Sequence, residues 1–593
     1  MADKSTPSRI SRLFPKSLWS HRFTVAWIGC FVTILLFDLL WSTITSYRGL
    51  SYVTTYLYGA LLALLMAAPA LCRRGRWLLA VIMLIADGLA IANLMYGRTY
   101  FYPIPPASYM LAGNVAEFGD AIVHSMRWFD ILFPVITIVT LWLMGNRKQS
   151  ERKCWQAYAA TTGVAALLCG MCAIFYGAPL THIEDLKSNC YHRTTPVVAY
   201  TLPMSILSDI LESNVPVTDE EKAAALAWVD RHNTENRQSV TMPLADGLVQ
   251  RDSVTPRRMV VIVVESLEAW PIGKSIEGKE ITPYLNRLMA DTTRVLYAPQ
   301  VMTQVGPGRS IDGQLLMTAG MMPMRDYVYS MRFPDHTYPH LLQSFKTKYP
   351  DAQAYLLSGD RATTWNQGAV EQSFGFDRMQ FRDSWDNSES FGHPRNPSDG
   401  SLLRQIVARM EDGDIAPAGE PSFVEVITYS SHFPFVIPEE HRRISLSENY
   451  YGHMADYVTA INYTDYAIGE FITYLLNRPD GDETMIVVVG DHDGLVSERY
   501  PIRDSSPELA ELVDLDLYVP MIVFNSPVTG RIGYPIGQLD VYTTVLDLAS
   551  LTSSARFTGM GASAVRSGFT PYSPEATDLT PISSTIIRAD LLK

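Results

Sequence analysis

The sequence is poor in cysteine and in charge for its length. Only six cysteines occur among 593 residues, and none follows Cys190. The C-terminal two thirds therefore form no internal disulfide, which argues against the disulfide-rich scaffolds of many exported proteins. The net charge of −13 argues against a nucleic-acid partner, because phosphate backbones are bound by clustered Lys and Arg. Low-complexity tracts and repeats of fixed period are also absent from the sequence.

Apolar residues are abundant by comparison. Hydrophobic residues make up 47% of the chain and charged residues 18%, yet the mean hydropathy is only +0.04. This combination indicates a strongly apolar part joined to an ordinary water-soluble part. The length also predicts at least two domains.

The apolar part is concentrated near the N-terminus. Each of its runs is close to the ~20 residues that a helix needs to cross a bilayer. The first run is too long for the core of a signal peptide and lacks a small-residue cleavage site, so we interpret it as an uncleaved anchor. Five membrane helices are predicted, at Phe23–Ile44, Tyr52–Cys72, Trp77–Tyr96, Trp128–Met144 and Tyr158–Tyr176.

The charges between these runs predict their orientation. The N-terminal segment and the second and fourth connections together contain twelve Lys and Arg residues, whereas the opposite connections contain three. Basic connections stay in the cytoplasm. The N-terminus is therefore predicted to be cytoplasmic, and the odd number of spans places everything after residue 178 outside the cytoplasm.

The pattern changes after Arg258, where short β-branched runs alternate with helical stretches. Such alternation predicts an α/β fold around a largely parallel sheet. We predict a transmembrane domain over 1–178, a linker with juxtamembrane helices over 179–257, a catalytic domain over 258–571 and a tail over 572–593. The predicted strands are Val260–Val264, Ala354–Leu357, Phe423–Thr428, Met485–Val489 and Met521–Phe524.

Chemically active residues follow three of these runs. Glu265 comes directly after the first, His432 shortly after the third, and Asp491 and His492 after the fourth. Sites in open α/β sheets form beyond the carboxyl ends of the strands, so these side chains are predicted to meet. Carboxylates with an imidazole suit Mn²⁺, Mg²⁺ or Zn²⁺.

A second element is the Gly- and Pro-rich turn Gly306–Gly313, which presents Ser310 just before an apolar helix. A helix N-terminus binds phosphate and favours a developing alkoxide, which suits Ser310 as a nucleophile. The alternative makes Ser310 an ordinary helix cap. Spacing alone does not separate the two.

Several motifs occur together along the chain: Glu265-Ser266-Leu267, Thr282–Asn286, Gly306–Asp312, Trp365-Asn366, Phe374–Asp377, His432–Phe435 and Gly490–His492. Their identity and order resemble the lipoteichoic acid synthase group, or phosphoglycerol transferases, of the alkaline phosphatase–sulfatase superfamily. The resemblance covers nearly the whole chain, and the set of motifs is specific although each one alone is weak.

The resemblance implies a five-helix membrane domain followed by an alkaline-phosphatase-like α/β domain outside the cytoplasm, in the inner membrane of a bacterium. It also implies that one divalent metal, with Mn²⁺ the first choice and Mg²⁺ or Zn²⁺ the alternatives, binds four residues. Ser310 would be the nucleophile among them, at a position where the group usually has Thr. The four implied ligands are Glu265, Ser310, Asp491 and His492.

The remaining implied roles concern the substrate. His432 would act as proton donor or base, and Arg309 and Trp365 would line the phosphate pocket. This chain departs from the group at two positions: Ser358 stands where the group has His, and Gln367 stands where it has Arg. Arg361 is a candidate to replace the lost cation in binding substrate.

Three functions remain open. The first is transfer of a phospholipid headgroup to a glycan or glycolipid hydroxyl at the membrane, through a covalent Ser310 intermediate. The second is a phosphatase or phosphodiesterase, whereas a sulfatase is disfavoured because Ser310–Gln314 lacks the formylglycine motif. The third is a non-catalytic lipid sensor, which would be expected to have lost metal ligands.

Overall fold

A computed structural model describes most of the chain. The described residues are 21–44, 53–72, 75–100, 104, 125–145, several of 158–167, 216–251, 256–324, 327–391, 396–447, 450–571 and 579–593. They divide into two compact units, an N-terminal one within residues 21–167 and a C-terminal one within residues 216–593.

The N-terminal unit consists of apolar helices. Two of them contain segments long and apolar enough to cross a membrane, Arg22–Trp41 and Arg76–Arg98, and the other two are shorter. The first four predicted runs thus fall on helices. The fifth, Tyr158–Tyr176, lies mostly outside the described residues. The helices are α1 (His21–Ile44), α2 (Val53–Ala67), α3 (Arg76–Tyr100) and α4 (Leu132–Met144).

The described residues of the C-terminal unit contain twelve strands. They are β1 (Val249–Gln250), β2 (Arg258–Val264), β3 (Ser275–Ile276), β4 (Lys279–Glu280), β5 (Val295–Met302), β6 (Gln353–Ser358), β7 (Arg378–Gln380), β8 (Ser422–Ile427), β9 (Thr484–Gly490), β10 (Tyr518–Phe524), β11 (Val528–Arg531) and β12 (Ile536–Gly537). Ten of them form one sheet with the order β1-β11-β5-β10-β9-β2-β8-β6-β7, in which β12 also pairs with β5, and β3 and β4 form a separate two-stranded ribbon.

Helices connect and cover these strands. In chain order they are α5 (Asp219–Ser239), α6 (Pro283–Met289), α7 (Ser310–Ala319), α8 (Tyr329–Arg332), α9 (Leu341–Lys348), α10 (Gln367–Phe374), α11 (Asp399–Glu411), α12 (Met454–Asn477), α13 (Arg499–Ser505), α14 (Pro507–Leu512), α15 (Gln538–Leu548) and α16 (Thr580–Arg588).

The central strand β2 explains why its sequence is a continuous apolar run. Val261 and Val263 pack with α7 and α15 in one hydrophobic core, and Val260 and Ile262 pack with α11 and α12 in the other. A strand covered on both faces has no solvent side, so every position after the first, Arg258, is apolar.

All five predicted strands are present, and the sheet is largely parallel as predicted. β9, β2, β8, β6 and β7 run parallel to one another, and β11 and β12 run parallel to β5. β10 pairs antiparallel with both β9 and β5, and β1 pairs antiparallel with β11. The carboxyl ends of β2, β8 and β9 therefore lie side by side at one edge.

The described part of the predicted linker, which begins at residue 216, belongs to the C-terminal unit. The helix predicted over Thr218–His232 is present as α5, capped by Thr218, and it extends to Ser239. Asn233 Oδ1 accepts a hydrogen bond from the backbone N–H of Thr558 (2.8 Å), and Asn236 Nδ2 donates to the carbonyl of Gly561 (3.0 Å). The helix predicted over Pro196–Leu211 lies outside the described residues.

Candidate metal site and nucleophile

The loop after β2 is tied to the loops after β8 and β9. The backbone N–H of Glu265 donates to Thr428 Oγ1 (3.1 Å), and Ser431 Oγ donates to the Glu265 carbonyl (2.6 Å). The next residue, Ser266, has a positive φ of 53° and donates its N–H to Asp491 Oδ1 (2.7 Å). These bonds hold the Glu265 side chain at the edge where the three parallel strands end.

Three buried side chains meet at this edge. Glu265, Asp491 and His492 each offer a ligand atom, and these atoms lie within 4.8 Å of one another. His492 Nδ1 donates to the carbonyl of Asp493 (2.9 Å), which leaves the lone pair of Nε2 facing the two carboxylates. A hydrogen bond at one ring nitrogen commonly fixes the other as the metal ligand.

The protonation of the cluster favours a cation. Burial lowers the pKa of His492 to about 4, helped by the nearby Arg309, so the imidazole is neutral and able to ligate at neutral pH. Burial and the charge of Glu265 raise the pKa of Asp491 well above its ordinary value. The charge of Glu265 disfavours a second charge on Asp491, and a divalent ion would stabilise both carboxylates. The donor set therefore fits one hard or borderline metal.

Ser310 lies beside these three residues. Its Oγ is 3.2 Å from Glu265 Oε2 and 3.1 Å from His492 Nε2. Ser310 is the first residue of α7, and the preceding Arg309 takes the cap position without a side-chain cap. The alternative interpretation of Ser310 as an ordinary helix cap is therefore wrong, because its hydroxyl faces the cluster.

The turn before α7 is held by a buried carboxylate. Asp312 Oδ2 accepts hydrogen bonds from the backbone N–H groups of Gly306 (2.9 Å) and Gly308 (2.8 Å). Gly313 allows α7 to approach the metal-site loop, since a Cβ there would lie 2.6 Å from the carbonyl oxygen of Asp491. The glycines in this motif thus bring the serine to the carboxylates.

Arg309 was expected to line the phosphate pocket, and the structure places its guanidinium against the metal-site loop. Its Nη2 donates to the carbonyl of Asp493 (2.7 Å) and lies 3.1 Å from Asp493 Oδ1. Burial raises the pKa of Asp493, but Arg309 lowers it and the net shift is downward. Asp493 was not among the predicted site residues, although it directly follows His492.

His432 lies in the loop after β8, stacked on Tyr429 with ring centroids 5.0 Å apart. Its Nδ1 is 2.7 Å from the carbonyl of Phe433 and must therefore donate to it. Burial raises the pKa of Glu265, while His492 and His432 lower it, and the net shift is downward. The ring of His432 is thus near the cluster.

Trp365 and Arg361 lie in the connection between β6 and α10. Trp365 is half-buried, has a positive φ of 51° and packs against the hydrophobic core. The connection ends at α10, whose first residue, Gln367, donates from Nε2 to Gln314 Oε1 of α7 (3.2 Å), one turn beyond Ser310. Gln367 therefore contacts the helix that begins with Ser310, and Arg361 follows the buried Asp360.

Glu268 is a further residue that the sequence prediction missed. It is completely buried three positions after Glu265 and accepts hydrogen bonds from the loop that follows His492. The only sequence signal is a second carboxylate in an otherwise apolar stretch after a strand. The backbone groups of Gly494 and Leu495 that it binds are more than 200 positions away, beyond the reach of local patterns.

Comparison with known proteins agrees with this architecture. The Sulfatase family matches residues 257–551, and the family described as Lipoteichoic acid synthase N-terminal domain matches residues 11–197. Lipoteichoic acid synthase from Staphylococcus aureus (strain USA300) is 24% identical over 497 residues, which cover 81% of this chain and 73% of that protein.

Two solved structures also match the chain. Lipooligosaccharide phosphoethanolamine transferase A (EptA) from Neisseria meningitidis, an integral membrane protein, is similar in fold: it is 14% identical with a TM-score of 0.52, covering 90% of this chain and 96% of that one. Lipoteichoic acid synthase LtaP from Listeria monocytogenes is 19% identical with a TM-score of 0.48, covering 61% and 96%. With a Sulfatase domain over residues 257–551 and a Lipoteichoic acid synthase N-terminal domain over residues 11–197, the chain belongs to the lipoteichoic acid synthase-like proteins.

Proposed function

We propose that this membrane phosphotransferase moves a phospholipid headgroup of the phosphoglycerol type onto a hydroxyl of a glycan or glycolipid, through a covalent intermediate on Ser310. The observation that carries the proposal is the position of Ser310 Oγ, 3.1–3.2 Å from His492 Nε2 and Glu265 Oε2 at a helix N-terminus. The name of the Staphylococcus aureus relative, lipoteichoic acid synthase, supports the same reaction class.

In the first half of the reaction, Ser310 Oγ loses its proton to solvent and, as the alkoxide, forms a bond to phosphorus while the bond from phosphorus to the diacylglycerol oxygen breaks. The leaving oxygen takes the electron pair and a proton from His432. In the second half, an acceptor hydroxyl gives its proton to His432, forms the new bond to phosphorus and releases Ser310 as the alkoxide. The sequence of two displacements transfers the headgroup without net hydrolysis.

His432 is suited to move both protons. Because its Nδ1 donates to the Phe433 carbonyl, its Nε2 is the atom that gives a proton to the diacylglycerol oxygen and accepts one from the acceptor. The metal would be held by Glu265, Asp491, His492 and Ser310, with Mn²⁺ the first choice. Its positive charge would lower the pKa of the serine hydroxyl and stabilise charge on phosphate.

The proposed substrate contacts are Arg309, Trp365 and Arg361. Arg309 already binds Asp493, so we assign it to orienting the metal-site loop next to the phosphate. Arg361 and Trp365 lie in the connection before α10, whose first residue, Gln367, contacts α7. We assign both residues to binding the headgroup.

The reaction is tested with purified full-length protein and phospholipids labelled in the headgroup, with Mn²⁺ or with a chelator. Transfer predicts diacylglycerol and a labelled acceptor, both dependent on the metal. Free labelled headgroup phosphate with no acceptor product would instead indicate a hydrolase. Lipid binding without any product would favour a sensor.

We further propose five membrane spans within residues 1–178, with the N-terminus in the cytoplasm and the catalytic domain (258–571) on the outside of the inner membrane. Two described helices are long and apolar enough to cross a membrane, two shorter apolar helices lie on the proposed second and fourth spans, and Tyr158–Tyr176 would be the fifth. Residues 179–257 would link the transmembrane and catalytic domains. Residues 572–593 would form the C-terminal tail, which contains the helix α16.

The topology gives a first prediction. Reporter fusions after Gly145 and after Ala178 are expected on opposite sides of the membrane, since one further span separates them and basic residues are twelve to three in favour of a cytoplasmic N-terminus. Paired alkaline phosphatase and fluorescent protein fusions measure this directly. A fusion at Lys593 serves as the control for the outer side, and a cytoplasmic signal at 178 would contradict the topology.

A further inference from the structure

A buried carboxylate next to the metal cluster makes an unusual set of contacts. Glu268 is completely buried and lies three residues after Glu265, in the loop that follows β2. Its Oε1 accepts two hydrogen bonds, from the backbone N–H groups of Gly494 and Leu495, each of 2.8 Å. Those two residues come directly after the loop that contains Asp491 and His492. One carboxylate oxygen thus anchors the loop of the metal ligands from the far side.

The second oxygen of Glu268 is held equally firmly. Its Oε2 accepts from Trp270 Nε1 (2.8 Å) and forms an ion pair with Arg499 Nη2 (2.7 Å), and both charged side chains are only 1% exposed. Arg499 Nη1 in turn donates to the carbonyl of Asp514 (2.8 Å). A buried carboxylate with three hydrogen-bond donors and one ion-pair partner has one orientation.

The backbone around Glu268 is clamped as well. Its N–H donates to Tyr457 Oη (3.2 Å), and Tyr457 Oη donates to the carbonyl of Ser266 (2.9 Å). Gly494 is required for this packing, because a Cβ there would lie 2.5 Å from Tyr457 Cε2 and 3.0 Å from the Ser266 oxygen. The loop after β2 and the loop after β9 are therefore joined twice, by the hydrogen bonds of the Glu268 carboxylate and by the packing of Gly494 against Tyr457 and the Ser266 carbonyl.

We propose that Glu268, oriented by Arg499, is a positioning residue that fixes the distance between Glu265 and the pair Asp491–His492 and so preorganises the metal site. The inference rests on the proposed metal site and deepens it. Glu268 touches neither Ser310 nor the ligand atoms among the described contacts, and it acts through the loop backbone. Residues that orient metal ligands in this way typically change metal affinity by about 10–100-fold when they are replaced.

The test is a Mn²⁺ titration of the thermal unfolding of full-length protein in detergent. Ligand binding to the folded state raises the unfolding temperature as the ratio of ligand concentration to Kd increases, so each variant yields an apparent Kd. Glu268→Gln is expected to weaken Mn²⁺ affinity at least about tenfold. The glutamine NH₂ group would replace one carboxylate oxygen and would face two N–H donors that need an acceptor. Equal affinity in a folded Glu268→Gln protein overturns the proposal.

Two further variants separate positioning from general destabilisation. Asp547→Asn removes a carboxylate from another buried ion pair in the same unit, with Arg566 at 2.6 Å, and is expected to lower the unfolding temperature without changing Mn²⁺ affinity. Arg499→Lys keeps the charge but cannot hold both Glu268 and the Asp514 carbonyl, so it is expected to weaken affinity about threefold or more. If Glu268→Gln does not fold, Arg499→Lys decides the question, and affinity equal to wild type then contradicts the proposal.

Asp491→Ala, measured in the same series, distinguishes this inference from the function on which it rests. If Asp491→Ala leaves the Mn²⁺ response unchanged, the metal site itself and the proposed function both fail. If Asp491→Ala removes the response while Glu268→Gln and Arg499→Lys keep the wild-type affinity, only the positioning role of Glu268 fails.

Discussion

Replacing Ser310 by alanine is expected to reduce turnover by more than about a thousandfold, because the change removes the atom that forms the bond to phosphorus. The hydroxyl contacts Glu265 Oε2 and His492 Nε2 and caps no helix N–H, so its loss is expected to cost no more than about 1–3 kcal/mol of folding stability. Headgroup release from labelled phospholipid measures turnover, and thermal unfolding measures stability.

Two substitutions at the same position serve as controls. Ser310→Thr should retain part of the activity, because the resembling family usually has threonine there. Ser310→Cys should lose most of it, since a thiolate is a soft ligand for a hard metal and a poor match for phosphoryl transfer. A cysteine variant as active as the wild type would contradict the assignment of metal and nucleophile to one centre.

The covalent intermediate gives the same prediction a direct readout. Wild-type protein incubated with lipid donor and no acceptor is expected to gain the mass of the headgroup phosphate on the peptide that contains Ser310. Water should remove this group slowly in a transferase and quickly in a phosphatase. Full activity in Ser310→Ala would show that another residue is the nucleophile in either case.

The position of the candidate site could be predicted because the chemistry follows β-branched runs. Val260–Val264 and Met485–Val489 are continuously apolar, and β2 and β9 are parallel neighbours in the sheet. Residues directly after parallel neighbours meet at one edge, which brings Glu265 to Asp491 and His492. Only local composition and a general rule for α/β sheets were needed.

Features that depend on distant partners could not be predicted. A strand that is buried on both faces is apolar whether it runs parallel or antiparallel to its neighbour. The apolar run Met521–Phe524 therefore does not reveal that β10 is antiparallel to β9. The resemblance predicts that Arg309 lines the phosphate pocket, but the sequence does not reveal that its guanidinium contacts Asp493, 184 residues later. Glu268 depends on Gly494, 226 residues later. These contacts arise when strands remote in sequence become neighbours.

The second large effect is expected from Asp491→Ala, which should reduce bound metal from about one ion per chain to less than about a tenth. Asp491 Oδ2 is 3.5 Å from His492 Nε2, and the charge of Glu265 raises the pKa of Asp491. Removal of this carboxylate leaves one carboxylate, one imidazole and the Ser310 hydroxyl as proposed ligands, which hold a divalent ion weakly. Elemental analysis of the purified full-length protein measures the metal content.

Stability provides an independent check on the same change. Without metal, Asp491→Ala loses the two backbone hydrogen bonds that Oδ1 accepts from Ser266 and His492 (each 2.7 Å), but it also relieves the repulsion between two buried carboxylates. The metal-free variant is therefore expected to unfold near the temperature of the metal-free wild type. Added Mn²⁺ should then stabilise the wild type alone.

A matched control removes the same chemical groups elsewhere. Asp465 is buried in α12 and also accepts two backbone hydrogen bonds, from Tyr284 (2.9 Å) and Leu285 (2.8 Å). Asp465→Ala is expected to lower the unfolding temperature while keeping both the metal content and the stabilisation by Mn²⁺. If the two alanine variants lose metal to the same extent, the loss reflects general destabilisation and Asp491 is not a ligand; if only Asp491→Ala loses it, the carboxylate binds the ion directly.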